Sequence, residues 1–178
     1  MFTDILIVLI ALFGVFSVVV ALQPPEFSIV RSASFKATAA ALYAQIVDFH
    51  RWQDWSFWAK LDPNANNTYE GPAAGKGSIF MWSGNNKVGE GCMLITECKE
   101  NEFILIRLEF MKPFRAVNVT EFTFKEQDGE TVVKWSMSGV NNFMAKAFNL
   151  IMDCDKMIGG QFEKGLENLR AIVETKSA

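Results

Sequence analysis

One histidine, His50, is all that the chain offers for imidazole chemistry. A histidine cluster for a metal is therefore excluded, and any cysteine–histidine dyad would have to use this residue. It stands beside Arg51 in a polar turn, where a capping or solvated role is the ordinary one. Cys92, Cys98 and Cys154 match no metal-knuckle spacing. On one strand Cys92 and Cys98 would lie about 20 Å apart, too far for a disulfide. Asp153 and Asp155 have the look of a carboxylate pair, yet two positions apart on a helix they point about 200° from each other and cannot converge. Asp155 borders an apolar stripe, so it is either a buried acid with a raised pKa or, as expected here, a partner for Lys156 or Lys134. No G-x-S-x-G, phosphate loop or dinucleotide fingerprint occurs, because Gly75 and Gly77 lack a third glycine and a following helix. The sequence thus supplies no catalytic set, no metal site and no cofactor site.

What remains is contact chemistry. Trp52, Trp55 and Trp58 repeat every third residue, which lines one side of a short helix or turn with large rings that can cover the end of a sheet. Asn118 and Thr120 share the inward register of Phe122 and Phe124. A buried amide and hydroxyl need partners, so they bond each other, hold water or meet a polar group of a ligand. The same pair, like Asn66 and Thr68, fits the N-glycosylation pattern, although Asn118 falls in mid-strand.

These residues need elements to hold them. Met144, Phe148, Ile151, Ile158, Phe162, Leu166, Leu169 and Val173 recur at helical spacing, predicting one long amphipathic helix from Asn141 to about Lys176. Asn141 or Asn142 can cap it. At about 1.5 Å per residue it would run about 50 Å, so it must fray or bend, and Gly159 and Gly160 are the expected place. Before it, Phe27 to Phe35 reads as a strand and Thr38 to Phe49 as a helix. Six more strands follow: Thr68 to Glu70, Ser78 to Trp82, Gly91 to Cys98, Glu102 to Met111, Ala116 to Lys125 and Glu130 to Ser138. Asp128 and Gly129 mark a hairpin between the last two. Arg107 and Glu109 alternate with Ile106, Leu108 and Phe110, as expected of a sheet with one wet and one apolar face.

From Ile5 to Leu22 there is no charge, and at helical rise the run spans about 27 Å, close to a bilayer's hydrocarbon core. A single-pass membrane anchor is expected. Val19 and Ala21 also make a tolerable signal-cleavage site, but the run is longer than a signal core and no Lys or Arg precedes it. Pro24 and Pro25 stop the helix. Asp4 before the span, with Arg31 and Lys36 after it, biases the globular part toward the cytoplasm. Lys112, Pro113, Phe114 and Arg115 form a basic, aromatic hairpin tip able to touch anionic headgroups. In a chain of 178 residues, 17 Lys and Arg stand against 20 Asp and Glu. With no run of either sign, a nucleic-acid surface is excluded. Half the residues are hydrophobic, including 16 Phe and 5 Trp, enough for a substantial core.

The order strand, helix, tryptophan turn, six strands, long helix is joined by local matches. Trp52 to Trp58 runs into Lys60, Leu61, Asp62 and Pro63. EGPAAGKG spans Glu70 to Gly77, FMKPF spans Phe110 to Phe114, and DKMIGGQFEKGLENL spans Asp155 to Leu169. Together they resemble the polyketide cyclase/dehydrase-like branch of the helix-grip (SRPBCC) superfamily, which also holds START lipid-transfer domains and the birch-pollen-allergen group. The resemblance covers about Glu26 to Glu174, with Phe57 where that branch has proline. It implies an α+β helix-grip fold, a seven-stranded antiparallel curved sheet wrapped around the C-terminal helix, with a cavity between them. From the residues alone a filled core and a cavity fit equally.

The resulting expectation is an anchor at residues 1–25 and a ligand-binding domain at 26–178. The domain would bind a hydrophobic small molecule or lipid. Its lining would be Trp55, Trp58, Trp82, Phe110, Trp135, Met137, Phe143, Met144 and Phe148, with Asn118 and Thr120 as polar contacts. A cyclase- or dehydratase-type enzyme is the alternative, and a protein-interaction module using a Trp52, Trp55 and Trp58 surface is the third reading.

Overall fold

The computed structural model describes residues 1–175. Helix α1, Phe2–Leu22, has a mean hydropathy of 3.2 over its most apolar window, long and apolar enough to cross a membrane. It has no polar face, and Val20 alone among its residues is buried. Gln23, ahead of the two prolines, is already extended, as the steric demand of a following proline ring requires.

Strand β1, Glu26–Phe35, leads into α2, Ala39–Ile46. Thr38 starts α2, its side-chain oxygen accepting from the Ala41 amide at 3.2 Å. A tight turn at Phe49–Arg51 is capped in the same way by Asp48, and α3, Trp52–Trp55, continues from it. Then come β2, Asn66–Glu70, β3, Ile79–Ser83, β4, Glu90–Lys99, β5, Phe103–Lys112, β6, Ala116–Gln127, and β7, Glu130–Val140. The seven strands form one antiparallel sheet in the order β1-β7-β6-β5-β4-β3-β2. The β6–β7 hairpin turns on Asp128 and Gly129, both at positive φ (53° and 81°), the geometry that two-residue hairpins require.

Alternation along the strands sets the faces. Ile104, Ile106 and Leu108 of β5 are buried, while Arg107 and Glu109 face out and pair with each other at 2.7 Å. Over the inner face lies α5, Cys154–Thr175, which buries Phe162, Leu166, Leu169 and Val173. Each such side chain contributes roughly 1.5–3 kcal/mol by leaving water.

The C-terminal segment is two helices. A shorter helix, α4, Phe143–Ile151, precedes α5, and the chain is extended at Met152 (φ −121°, ψ 129°). Asn142 caps α4, its Oδ1 accepting from Ala145 N at 2.9 Å. The break falls at Met152 and Asp153 instead of at Gly159 and Gly160. Asp153 explains it: its Oδ1 accepts from the Lys156 amide at 3.0 Å, so a new N-terminus starts where a continuous helix would have run on. Gly159 lies inside α5 and is buried against the guanidinium of Arg31. The expected end of the helix near Lys176 lies outside the described residues.

Candidate functional site

The tryptophan turn is interior, and local hydrogen bonds hold it there. Trp52 Nε1 donates to Ile46 O at 2.8 Å and Trp55 Nε1 to Gln45 O at 3.2 Å. Both rings are buried, at 4% and 0% exposure, so the expectation of a Trp52, Trp55 and Trp58 interaction surface is overturned. Trp58 is half-buried.

Trp135 of β7 gathers the rings. It stacks on Phe162 of α5 with centroids 4.1 Å apart and planes 4° from parallel. Its ring is 4.7 Å from Phe122, 5.8 Å from Trp55 and 6.0 Å from Trp58. Such pairs add about 0.5–1.5 kcal/mol each beyond area burial. Beneath α5, therefore, the space between sheet and helix is occupied by aromatic side chains. Trp135 Nε1 is buried without a hydrogen-bond partner among the described residues.

The other expected lining residues fall in two places. Met137, Asn118 and Thr120 are buried on the inner face, in rows set by register: Ile29 beside Met137 beside Thr120, and Phe27 beside Gly139 beside Asn118. Neither the Asn118 nor the Thr120 side chain makes a hydrogen bond among the described residues, and neither is among the fully buried unpaired polar groups. Gly139 has no side chain because Asn118 Oδ1 and the Phe27 ring fill the space a Cβ would need. Trp82 and Phe110 meet edge to face at 6.0 Å near the far edge of the sheet. Phe143, Met144 and Phe148 are elsewhere, on α4, at 49%, 66% and 50% exposure.

A cleft of about 480 Å³ opens where the strand rows end, between the start of β1 and the α4–α5 break. Phe27, Ser28 and Ile29 form one wall, Asn149, Leu150 and Ile151 the other, and Met152 to Asp155 the end. Its volume lies within the range of about 300–1,000 Å³ common for small-molecule sites. Arg31 closes it. Its guanidinium pairs with Asp155 Oδ2 at 2.9 Å and Glu163 Oε1 at 2.8 Å, and donates to Asp155 O at 3.0 Å. Asp155 accordingly pairs with Arg31, in place of Lys156 or Lys134. The Asp155 hydrogen bond, followed by Glu163, holds the guanidinium above its usual pKa.

A second cleft of about 240 Å³ borders His50, Tyr69 and Ser78. His50 Nδ1 is engaged by Asp48 Oδ1 at 2.9 Å, and its ring stacks on Tyr69 at 4.1 Å. Ser78 Oγ donates to Pro72 O at 2.9 Å, so no serine–histidine pair forms. Burial raises the pKa of Cys92 and Cys154, holding both as weakly nucleophilic thiols. Among the described residues no His, Cys, Asp and Glu group could hold a metal.

Two features escaped the sequence reading. Arg31 entered the sequence reading as a positive charge after the apolar span, not as a partner of the C-terminal helix. The outward turn of α4 gave no signal, because its apolar spacing is in phase with that of α5.

No protein-family model matches the chain, and no curated protein does. Solved structures do. Protein MLL2253 from Mesorhizobium loti is similar with a TM-score of 0.61 at 13% identity, over 84% of this chain and 98% of that one. The Aha1 dimer from Colwellia psychrerythraea gives 0.60 at 15% identity, over 83% and 96%. The di-domain ARO/CYC StfQ from the steffimycin biosynthetic pathway gives 0.64 at 8% identity, over 86% of this chain and 52% of that one. This chain thus spans about half of StfQ. At these identities the likeness establishes the fold alone, an α+β helix-grip arrangement.

Proposed function

We propose that the chain is a membrane-anchored binding protein for a hydrophobic small molecule or lipid, with residues 1–25 as anchor and the rest as binding domain. The observation that carries this reading is the cleft of about 480 Å³ between β1 and the α4–α5 break. Phe27, Ile29, Leu150, Ile151 and Met152 give it apolar walls, and Asn149 and Asp155 give it polar groups at the rim. Met137, Asn118 and Thr120, on the strands next to Phe27 and Ile29, extend the same face inward. An apolar tail packed there and a polar head at the rim would satisfy both halves.

Binding is favoured over turnover because the acids near the cleft are committed. Asp155 is tied to Arg31 and Asp153 caps α5. An anchor also suits a lipid handler, since tethering raises the concentration of the site at the donor bilayer.

Native mass spectrometry of the full chain, extracted from its own membranes in mild detergent, tests the reading. A defined extra mass in the lipid range is expected, and Asn149→Trp, which fills the cleft, should remove it. A bare protein mass, with no saturable uptake of a fluorescent fatty acid, would sink the proposal.

A further inference from the structure

Helix α4 is inverted for a helix in water. Its advance of about 100° per residue gathers Phe143, Met144, Phe148 and Ile151 into an arc of about 140°. These four are among its exposed residues, Ile151 at 75% and Met144 at 66%. Its less exposed positions are Ala145, Lys146 and Ala147, and none of its residues is buried. A soluble domain turns such an arc onto its core. Here α5 occupies that place, and the break at Met152 and Asp153 leaves the α4 arc facing outward.

What the arc meets is indicated by α1. The two helices are in contact, and Lys146 Nζ donates to Ala21 O, 3.4 Å away in the last turn of α1. Asn141 N, just ahead of α4, donates to Pro25 O at 2.7 Å, just beyond α1. The apolar arc therefore begins at the level where the apolar span ends. Register brings the β5–β6 tip to the same end of the sheet, because Asn118 near the start of β6 sits opposite Gly139 near the end of β7. At that tip Phe114 is 71% exposed between Lys112 and Arg115.

We propose that α4 lies in the surface of the bilayer that α1 enters, with Phe143, Met144, Phe148 and Ile151 among the upper acyl chains. The partner is a lipid surface, and α4 is a second membrane contact that fixes the orientation of the domain. This inference rests on the reading of α1 as an anchor. Interfacial helices bind by this division, an apolar face below and a cationic or polar face above, which Lys146 and Asn149 provide here. Because Leu150 and Ile151 also wall the cleft, its mouth then opens at the membrane, and its occupant is drawn from molecules dissolved there.

The test is photolabelling of the full chain in nanodiscs of phosphatidylcholine and phosphatidylglycerol, with a diazirine on the acyl chain of the phosphatidylcholine. Peptide mapping by mass spectrometry reads the adducts. Adducts within 143–151 as well as 2–22 are expected. The exposed pair Phe148→Glu and Ile151→Glu should lose those in 143–151 and keep those in 2–22. Adducts in α1 with none in wild-type α4 would overturn the inference and leave the anchor standing, whether α4 faces water or is cross-linked to a second copy. Adducts at α4 that persist unchanged in the double variant would overturn it too. Absence of adducts from both segments would overturn the anchor, and the inference with it.

Discussion

The guanidinium of Arg31 occupies the space that a Cβ on residue 159 would need. Gly159 lets α5 pass close over β1, and Asp155 and Glu163, one turn to either side, hold the arginine in the gap. The side chain is 21% exposed, so the pair is only partly desolvated and its value is as much positional as energetic.

Gly159→Ala should therefore destabilise the protein, by about 1–3 kcal/mol if overpacking behaves as it does elsewhere. The better helix propensity of alanine, worth about 1 kcal/mol, offsets part of this. Coupling is the diagnostic. In an Arg31→Ala background the same substitution should cost less, or stabilise, and equal costs in the two backgrounds by denaturant unfolding in mild detergent would contradict the contact.

Trp135→Ala should cost about 3–5 kcal/mol, because it opens a void among Phe122, Trp55, Trp58 and Phe162. Trp135→Phe keeps a ring on Phe162 and removes the unpartnered Nε1–H, so it should cost much less. A thermal melt that ranks the two variants equally would mean that the stack is not a principal support of the core.

Much of the fold was legible because its signals are local. In β5 the alternation of Arg107 and Glu109 with Ile106 and Leu108 assigned both faces, and the Asp128–Gly129 turn needed only its own two residues. The C-terminal break was hidden by a pattern that continues through it. Met144, Phe148 and Ile151 are in phase with Ile158 and Phe162, and one side chain, Asp153, decides that they belong to different helices. Arg31 finds its acids 124 and 132 residues away, a pairing that no local spacing encodes. The tryptophan turn was visible as a motif, but its burial depends on Ile46 and Gln45 carbonyls that accept its indole N–H groups.

Alkaline pH should weaken the fold through its thiols. Burial raises Cys92 and Cys154 above their ordinary value of 9.0, meaning that the folded state binds those protons more tightly than the unfolded state. Their contribution is full below about pH 9 and is lost as pH rises through the folded values. Denaturation midpoints should be flat from pH 7 to pH 8 and fall above about pH 9. Alkylation of the native protein by iodoacetamide at pH 8 should be slower than that of unfolded chain; equal rates would refute the burial effect.

Asp153→Ala removes the side chain that accepts from Lys156 N and starts α5. A loss of about 0.5–2 kcal/mol is expected, the ordinary worth of an N-cap. Asp153→Asn retains an acceptor and should recover most of it. If both variants lose the same amount, charge and not the capping bond is what Asp153 supplies.

Thr120 separates a structural role from a binding one. Its residue is 3% exposed, and its hydroxyl makes no hydrogen bond among the described residues without being one of the fully buried unpaired polar atoms. The hydroxyl thus keeps an accessible edge, and Thr120→Val, nearly the same in shape, should leave stability nearly unchanged, within about 1 kcal/mol. Such a hydroxyl is free to meet a polar group of the ligand or a water. The valine variant should then bind a fatty-acid probe more weakly while melting close to the parent. Lower stability with unchanged affinity would assign Thr120 to the fold and remove it from the site.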